Sequence, residues 1–111
     1  MKNPDCLFCK IIAKELPADF IYEDEHIVAF KDINPIAPVH ILIVPRKHMK
    51  DNNEFMKEDE HIAGRFFTLV RELAEQEGIS EDGYRIFMNT GKHGKQIIPH
   101  MHLHLIGGRQ L

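Results

Sequence analysis

The run Pro99-His100-Met101-His102-Leu103-His104-Leu105-Ile106 sets three histidines at alternate positions, with an apolar residue between each pair. On a β-strand, side chains at i, i+2 and i+4 share one face, so the three imidazoles are expected side by side while Met101, Leu103 and Leu105 enter the core. Adjacent imidazolium rings repel, so at least one ring stays neutral near neutral pH and keeps a nucleophilic nitrogen. The same row suits a second chemistry, because neutral imidazole is the commonest nitrogen ligand of divalent metals. From the pattern alone, catalysis and metal binding stand level, and a purely structural role is the lesser alternative.

Cys6 and Cys9 form a single Cys-x-x-Cys. A redox pair of that spacing should follow a strand in a βαβ unit, and none precedes this one, so half of a metal site is the better reading. Two reduced, partly buried thiols are the alternative. A closed zinc site takes about four ligands, and His26, His40, His48, His61, His93 and the row supply candidates for the remainder.

These side chains need elements to hold them. Leu7, Phe8, Ile11 and Ile12 recur at helical spacing, which predicts a short helix from Leu7 to Leu16, capped by Asp5 and stopped by Pro17. Phe20 to Glu23 and His26 to Phe30 read as a β-hairpin around Glu23-Asp24-Glu25. Asp32 to Pro38 is a turn-rich connection, and the apolar run His40 to Val44 before Pro45 predicts a central strand. Ile62, Phe66, Leu69, Val70 and Leu73 make one stripe of a long helix from about Lys57 to Glu77, ended by Gly78. Gly64 within that helix suggests a close approach to the sheet. Tyr84 to Asn89 alternates as a strand, and a Gly- and Lys-rich loop leads from it to the histidines.

The predicted fold class is α+β, a mostly antiparallel sheet of about five strands with one short and one long helix. A chain of 111 residues is one domain. A net charge of −3 without long single-sign blocks excludes a nucleic-acid backbone or an anionic membrane as the main partner and favours a small ligand. No apolar run approaches a membrane span, and the residues from Met1 to Asp5 lack the apolar stretch of a secretory signal, so a cytoplasmic location is expected.

His100-Met101-His102-Leu103-His104-Leu105-Ile106 resembles the signature of the histidine triad (HIT) superfamily, in which histidine alternates with apolar residues. Phe30 to Pro35, Ala37 to His40, Ile43 to His48, Asn89-Thr90-Gly91 and Leu105 to Arg109 are similar, in the same order, to the Hint branch of nucleoside phosphoramidases, bacterial type. The resemblance spans nearly the whole chain. It implies that His102 attacks the α-phosphorus of a purine nucleoside phosphoramidate, forming a nucleotidyl-histidine that water hydrolyses. His104 would donate a proton to the departing group. His40 would complete the imidazole network, or stand as a satisfied buried histidine.

The resemblance also implies nucleotide-binding roles. Asp32 would accept the ribose hydroxyls, its alternative being an Asx-turn. Phe30, Ile33 and Leu42, with Phe8 and Ile12, would line a slot for the purine. Asn89, Gln96, Ile97, His102 and His104 would stand around the phosphate. In relatives with the N-terminal Cys-x-x-Cys, a structural Zn²⁺ is implied on Cys6, Cys9, His48 and His100, and no other cofactor is required. The branch carries Gly-Gln-Ser/Thr-Val where this chain has Lys95-Gln96-Ile97-Ile98, so Ile97 replaces a hydroxyl residue. The branch also has a longer tail that shapes its partner's pocket, whereas this chain ends at Leu111.

A two-fold homodimer, joined through the long helix and the Tyr84 to Asn89 strand, is implied as well. A dinucleoside polyphosphate hydrolase shares the triad and is the alternative activity. A zinc-stabilised nucleotide-binding interaction protein with little catalysis is the alternative outside enzymes.

Overall fold

The computed structural model describes residues 5–111. Met1 to Pro4, which enter the expectation about location, lie outside the described residues. Helix α1 (Leu7–Ile12) is followed by strands β1 (Phe20–Glu23), β2 (Ile27–Lys31) and β3 (Val39–Pro45). Two short 3-10 turns lead into α2 (Glu60–Gln76), and β4 (Tyr84–Phe87) and β5 (Leu103–Gly107) complete the chain. The strands form one sheet in the order β1-β2-β3-β5-β4, antiparallel throughout.

Alternation along the strands gives the sheet two dressed faces. Ile27, Ala29, Ile41, Ile43, Leu103 and Leu105 meet Ile62, Phe66, Leu69, Val70 and Leu73 of α2 in the main core. Val28, Phe30, Leu42 and Val44 point the other way and meet Cys6, Phe8, Cys9 and Ile11 around α1 in a second, smaller core. Each large apolar side chain enclosed in this way is worth about 1.5–3 kcal/mol, enough to fix which face each strand presents.

Several boundaries differ from those expected. Helix α1 ends at Ile12, well before Pro17, because Lys14 takes a left-handed φ of 65° and the backbone closes on itself, Glu15 N–H to the Lys10 carbonyl and Lys14 N–H to that of Ile11. Its N-cap is Cys6, whose sulfur accepts the Cys9 N–H, and not Asp5. The long helix starts at Glu60, preceded by a 3-10 turn over Lys57–Asp59 in which the Asp59 carboxylate takes the Met56 N–H and Lys47. Gly78 ends it with a φ of 74°. The expected approach of Gly64 to the sheet is absent: Gly64 lies off the stripe that packs, and nothing stands within 4 Å of where its Cβ would be. Strand β4 stops at Phe87, two residues earlier than expected.

The histidine run is strand only from Leu103 onward. Its first half is held by other means. Met101 N–H bonds the Met49 carbonyl at 2.7 Å, and the His100 ring bonds the carbonyl of Pro45, the residue that ends β3. The alternation survives, with Met101, Leu103 and Leu105 in the main core and the rings opposite.

Candidate active site and metal centre

Strand β5 sets His104 between Leu42 of β3 and Phe87 of β4, and Leu42 is in turn opposite Phe30 of β2. His102 and His100 continue the row on the same face. The His102 and His104 centroids are 4.9 Å apart, and the edge of Phe8 touches both His102 at 5.0 Å and His100 at 5.9 Å. His40 joins the row from β3, where a turn from Asp32 to Pro38 returns beside it through the Asp32 N–H to His40 carbonyl bond.

Hydrogen bonds to backbone assign the tautomers of His102 and His40, and His40 in turn assigns that of His104. The His102 Nδ1 atom is 2.6 Å from the His100 carbonyl oxygen, so Nδ1 carries the proton and Nε2 keeps its lone pair. The Ile36 N–H donates to His40 Nδ1, which puts the His40 proton on Nε2. That Nε2–H lies 2.9 Å from His104 Nδ1, so His104 accepts there and carries its own proton on Nε2. The row therefore presents a bare nitrogen on His102 beside an N–H donor on His104. Asp32, His40 and His104 also cluster as metal-binding groups can. The Ile36 bond argues for a hydrogen-bond relay instead, since a cation on His40 Nε2 would require the ring's remaining proton to face an N–H.

Burial keeps the rings neutral. Desolvation lowers the pKa of His102 and of His40, partly offset by Asp32. Desolvation, with repulsion from His102 and His40, brings His104 down to about 4.

A second cluster lies at the other end of the row. His100 is buried, and its Nε2–H donates to the Pro45 carbonyl at 2.8 Å, so the Nδ1 lone pair points inward. There it meets Cys6 Sγ at 3.2 Å, Cys9 Sγ at 3.6 Å and His48 Nδ1 at 3.2 Å, while Cys9 Sγ is 3.4 Å from His48 Nδ1. Metal bonds of about 2.0–2.3 Å in a tetrahedral site imply ligand separations of about 3.3–3.8 Å. The separations of 3.2–3.6 Å lie close to that spacing and all four donor atoms lie within 4.8 Å of one another, so Cys6, Cys9, His48 and His100 could hold a metal ion. Burial pushes the Cys6 thiol up and holds His100 down to about 4, so His100 offers a neutral ligand and a bound cation would take up the charge of the thiolates.

The other expected residues divide by position. Phe30 and Leu42 are buried in the second core, and Ile12 packs at its margin. Phe8 is enclosed beneath His100 and His102, so it backs those rings and offers no free face. Ile33 is exposed on the turn beside Asp32. Asp32 does open an Asx-turn, with Oδ1 taking the Asn34 N–H at 2.8 Å, while Oδ2 lies 3.4 Å from His40 Nε2. Asn89 is half-buried in the loop after β4. Gln96 uses both amide hydrogens on the carbonyls of Lys50 and Ile98 and takes the Gly91 N–H, so it ties the loop together. Ile97, 90% exposed, touches neither core.

Sequence reasoning does not reach three backbone groups that orient these rings, the Ile36 N–H and the carbonyls of Pro45 and His100, nor Phe87, which stacks on His104. The backbone groups have no side-chain signature. Phe87 could have been found by pairing the Tyr84 to Asn89 strand with the histidine strand in register. Two open clefts lie away from the row, one between Gly78 to Arg85 and residues 108–111, the other beside Gly64.

Residues 13–111 match the HIT domain family. The chain is 49% identical over 107 residues to a purine nucleoside phosphoramidase of Escherichia coli strain K12, covering 96% of this chain and 90% of that one. A crystal structure of a HIT family hydrolase from Legionella pneumophila aligns with a TM-score of 0.92 at 45% identity, over 96% of this chain and 95% of that one. A histidine triad protein from Clostridium difficile gives 0.96 at 36% identity, over 100% and 96%. With its row of alternating histidines running into the fifth strand of a matching sheet, the chain belongs to the HIT domain family.

Proposed function

We propose that the protein is a hydrolase of purine nucleoside phosphoramidates and that its 111 residues form a single HIT domain. The observation that carries this reading is the 2.6 Å bond from His102 Nδ1–H to the His100 carbonyl, which leaves Nε2 as a nucleophile on a neutral ring. Nε2 attacks the α-phosphorus and the P–N bond breaks. The departing nitrogen is hydrogen-bonded by the His104 Nε2–H and takes its proton from solvent, so the ring stays neutral, while the His40 Nε2–H steadies His104 at Nδ1. Water then attacks phosphorus and returns a proton to solvent, and the nucleoside monophosphate leaves with His102 restored.

Binding follows from the surroundings of the row. Asp32 retains acceptor lone pairs for the ribose hydroxyls. Ile33 and the part-buried Ile12 offer apolar surface to the base with Phe30 and Leu42 enclosed behind them, and Asn89 with nearby backbone N–H groups faces the phosphoryl oxygens. The purine preference rests on the name of the Escherichia coli relative.

For the metal we infer Zn²⁺ on Cys6, Cys9, His48 and His100, because two thiolates and two neutral imidazoles in a closed tetrahedron suit it. Bound there, it supplies cross-linking and no reaction chemistry. The His100 ring belongs to that centre while its carbonyl orients His102, so the chain's own backbone joins the two sites.

We further propose a two-fold homodimer through α2 and the β4 edge, and a cytoplasmic location. No helix among the described residues is long and apolar enough to cross a membrane.

The test supplies adenosine phosphoramidate and a diadenosine polyphosphate to the wild type and to His102→Ala, following AMP release. Phosphoramidate turnover abolished in the variant is expected. Faster release from the polyphosphate would favour the related hydrolase, binding without turnover would make the chain an interaction protein, and turnover surviving in His102→Ala would remove the nucleophile.

A further inference from the structure

Strand β4 brings to the row an aromatic side chain that the chemistry above leaves unused. Phe87 stands directly across from His104 in the β4–β5 register. Its ring lies parallel to the imidazole, with 6° between planes and 4.4 Å between centroids. The other rings around His104 are tilted, His40 by 44° and His102 by 57°. Phe87 is kept on this side of the sheet by its neighbours Ile86 and Met88, which pack into the main core on the other.

The torsion between Cβ and the ring of histidine joins sp³ to sp² carbon, and its wells are broad. A single bond from His40 to Nδ1 leaves the His104 ring able to swing about that contact. Leu42, across from His104 on its β3 flank, is aliphatic and imposes no plane. A flat ring stacked on one face does, because turning the imidazole would drive its edge into Phe87.

We infer that Phe87 is a positioning residue for His104, its stacked ring holding the imidazole in the plane that keeps Nδ1 on His40 and aims Nε2–H at the departing group. The kinetic consequence rests on the proposed phosphoryl transfer; the orientation of the ring does not.

Phe87→Leu keeps much of the apolar bulk and removes the plane, whereas Phe87→Tyr keeps both. In the free proteins, the ring nitrogens of His104 observed by ¹⁵N NMR should report one Nε2–H tautomer in the wild type and in Phe87→Tyr, and a mixture in Phe87→Leu. In turnover, kcat for a nucleoside phosphoramidate with an amine leaving group should fall about tenfold in Phe87→Leu with little change in KM. A nucleotide ester of an acidic phenol, which departs without a proton, should lose no more than about twofold.

A single tautomer in Phe87→Leu overturns the inference, and so does an equal loss on both substrates. Phe87→Tyr impaired as much as Phe87→Leu would do the same. Wild-type protein that turns over neither substrate removes the hydrolase reading, and the tautomer comparison alone then decides the role of Phe87.

Discussion

Ile97 shows how one residue can separate the fold from the rate. At 90% exposure it contributes to neither core, so replacing it should leave stability within about 0.5 kcal/mol of the wild type. It stands five residues before His102, where the resemblance to the Hint branch implies a hydroxyl residue. A hydrogen bond to a charged phosphoryl group is worth about 1.5–3 kcal/mol, which corresponds to about tenfold or more in rate when made in the transition state. Ile97→Ser should therefore raise kcat/KM on a phosphoramidate by about tenfold with an unchanged melting temperature. An equal or lower rate would show that this loop position does not reach the reacting groups.

The hairpin of β1 and β2 depends on Asp24 in a way that connects an element to pH. Asp24 Oδ1 takes the N–H groups of His26 and Ile27, and Oδ2 takes the Tyr22 hydroxyl and Arg65 of α2, so one carboxylate closes the turn and ties it to the helix. Its burial opposes ionisation, yet the Tyr22, backbone and Arg65 bonds outweigh that and hold its pKa well below the usual carboxylate range. A folded pKa below the unfolded value means that the unfolded chain binds the proton more readily in acid. The stabilisation is therefore complete above about pH 4 and is lost as pH falls further. Asp24→Ala should cost about 2–4 kcal/mol in urea unfolding at pH 7. Asp24→Asn, which can retain the Oδ1 bonds, should cost less, and its gap to the wild type should hold from pH 7 to 5 and shrink below about pH 4. A gap independent of pH would mean that the charge of Asp24 is not what holds the hairpin to α2.

The elements themselves were readable where apolar period and burial agree. The stripe on α2 and the continuous run in β3 appear where their spacing puts them. The end of α1 was not readable, because a left-handed Lys14 leaves no glycine to signal it. The alternation of the histidine run predicts strand throughout, whereas its first half is tied down by a side chain and a loop carbonyl, contacts that only tertiary structure supplies. Nor does periodicity choose among eight histidines: the proposed ligand His48 and the turn-bordered His40 carry no period of their own, and the motifs around them made the assignment.

At the scale of the molecule, the two faces of the sheet are stabilised by different means. The α2 face has a broad apolar core and a helix of 17 residues. The other face has a helix of six residues, too short to persist alone, and its end is fixed where Cys6 and Cys9 meet His48 and His100. Metal bound there would join α1, the segment after β3 and the histidine run, and Phe8 would stay pressed against His102. Removing the metal with a strong chelator in reducing buffer should lower Tm by at least about 10 °C, since 1 kcal/mol is worth about 4–8 °C in a domain of this size. Because α2 carries most of the helix, far-UV ellipticity at low temperature should remain largely intact while turnover falls, as α1 withdraws Phe8 from the nucleophile. One equivalent of Zn²⁺ should restore both Tm and turnover, and Cys6→Ser should reproduce the stripped state without chelator. A stripped protein with its original Tm and rate would instead show that the thiol and imidazole contacts alone hold this face of the sheet.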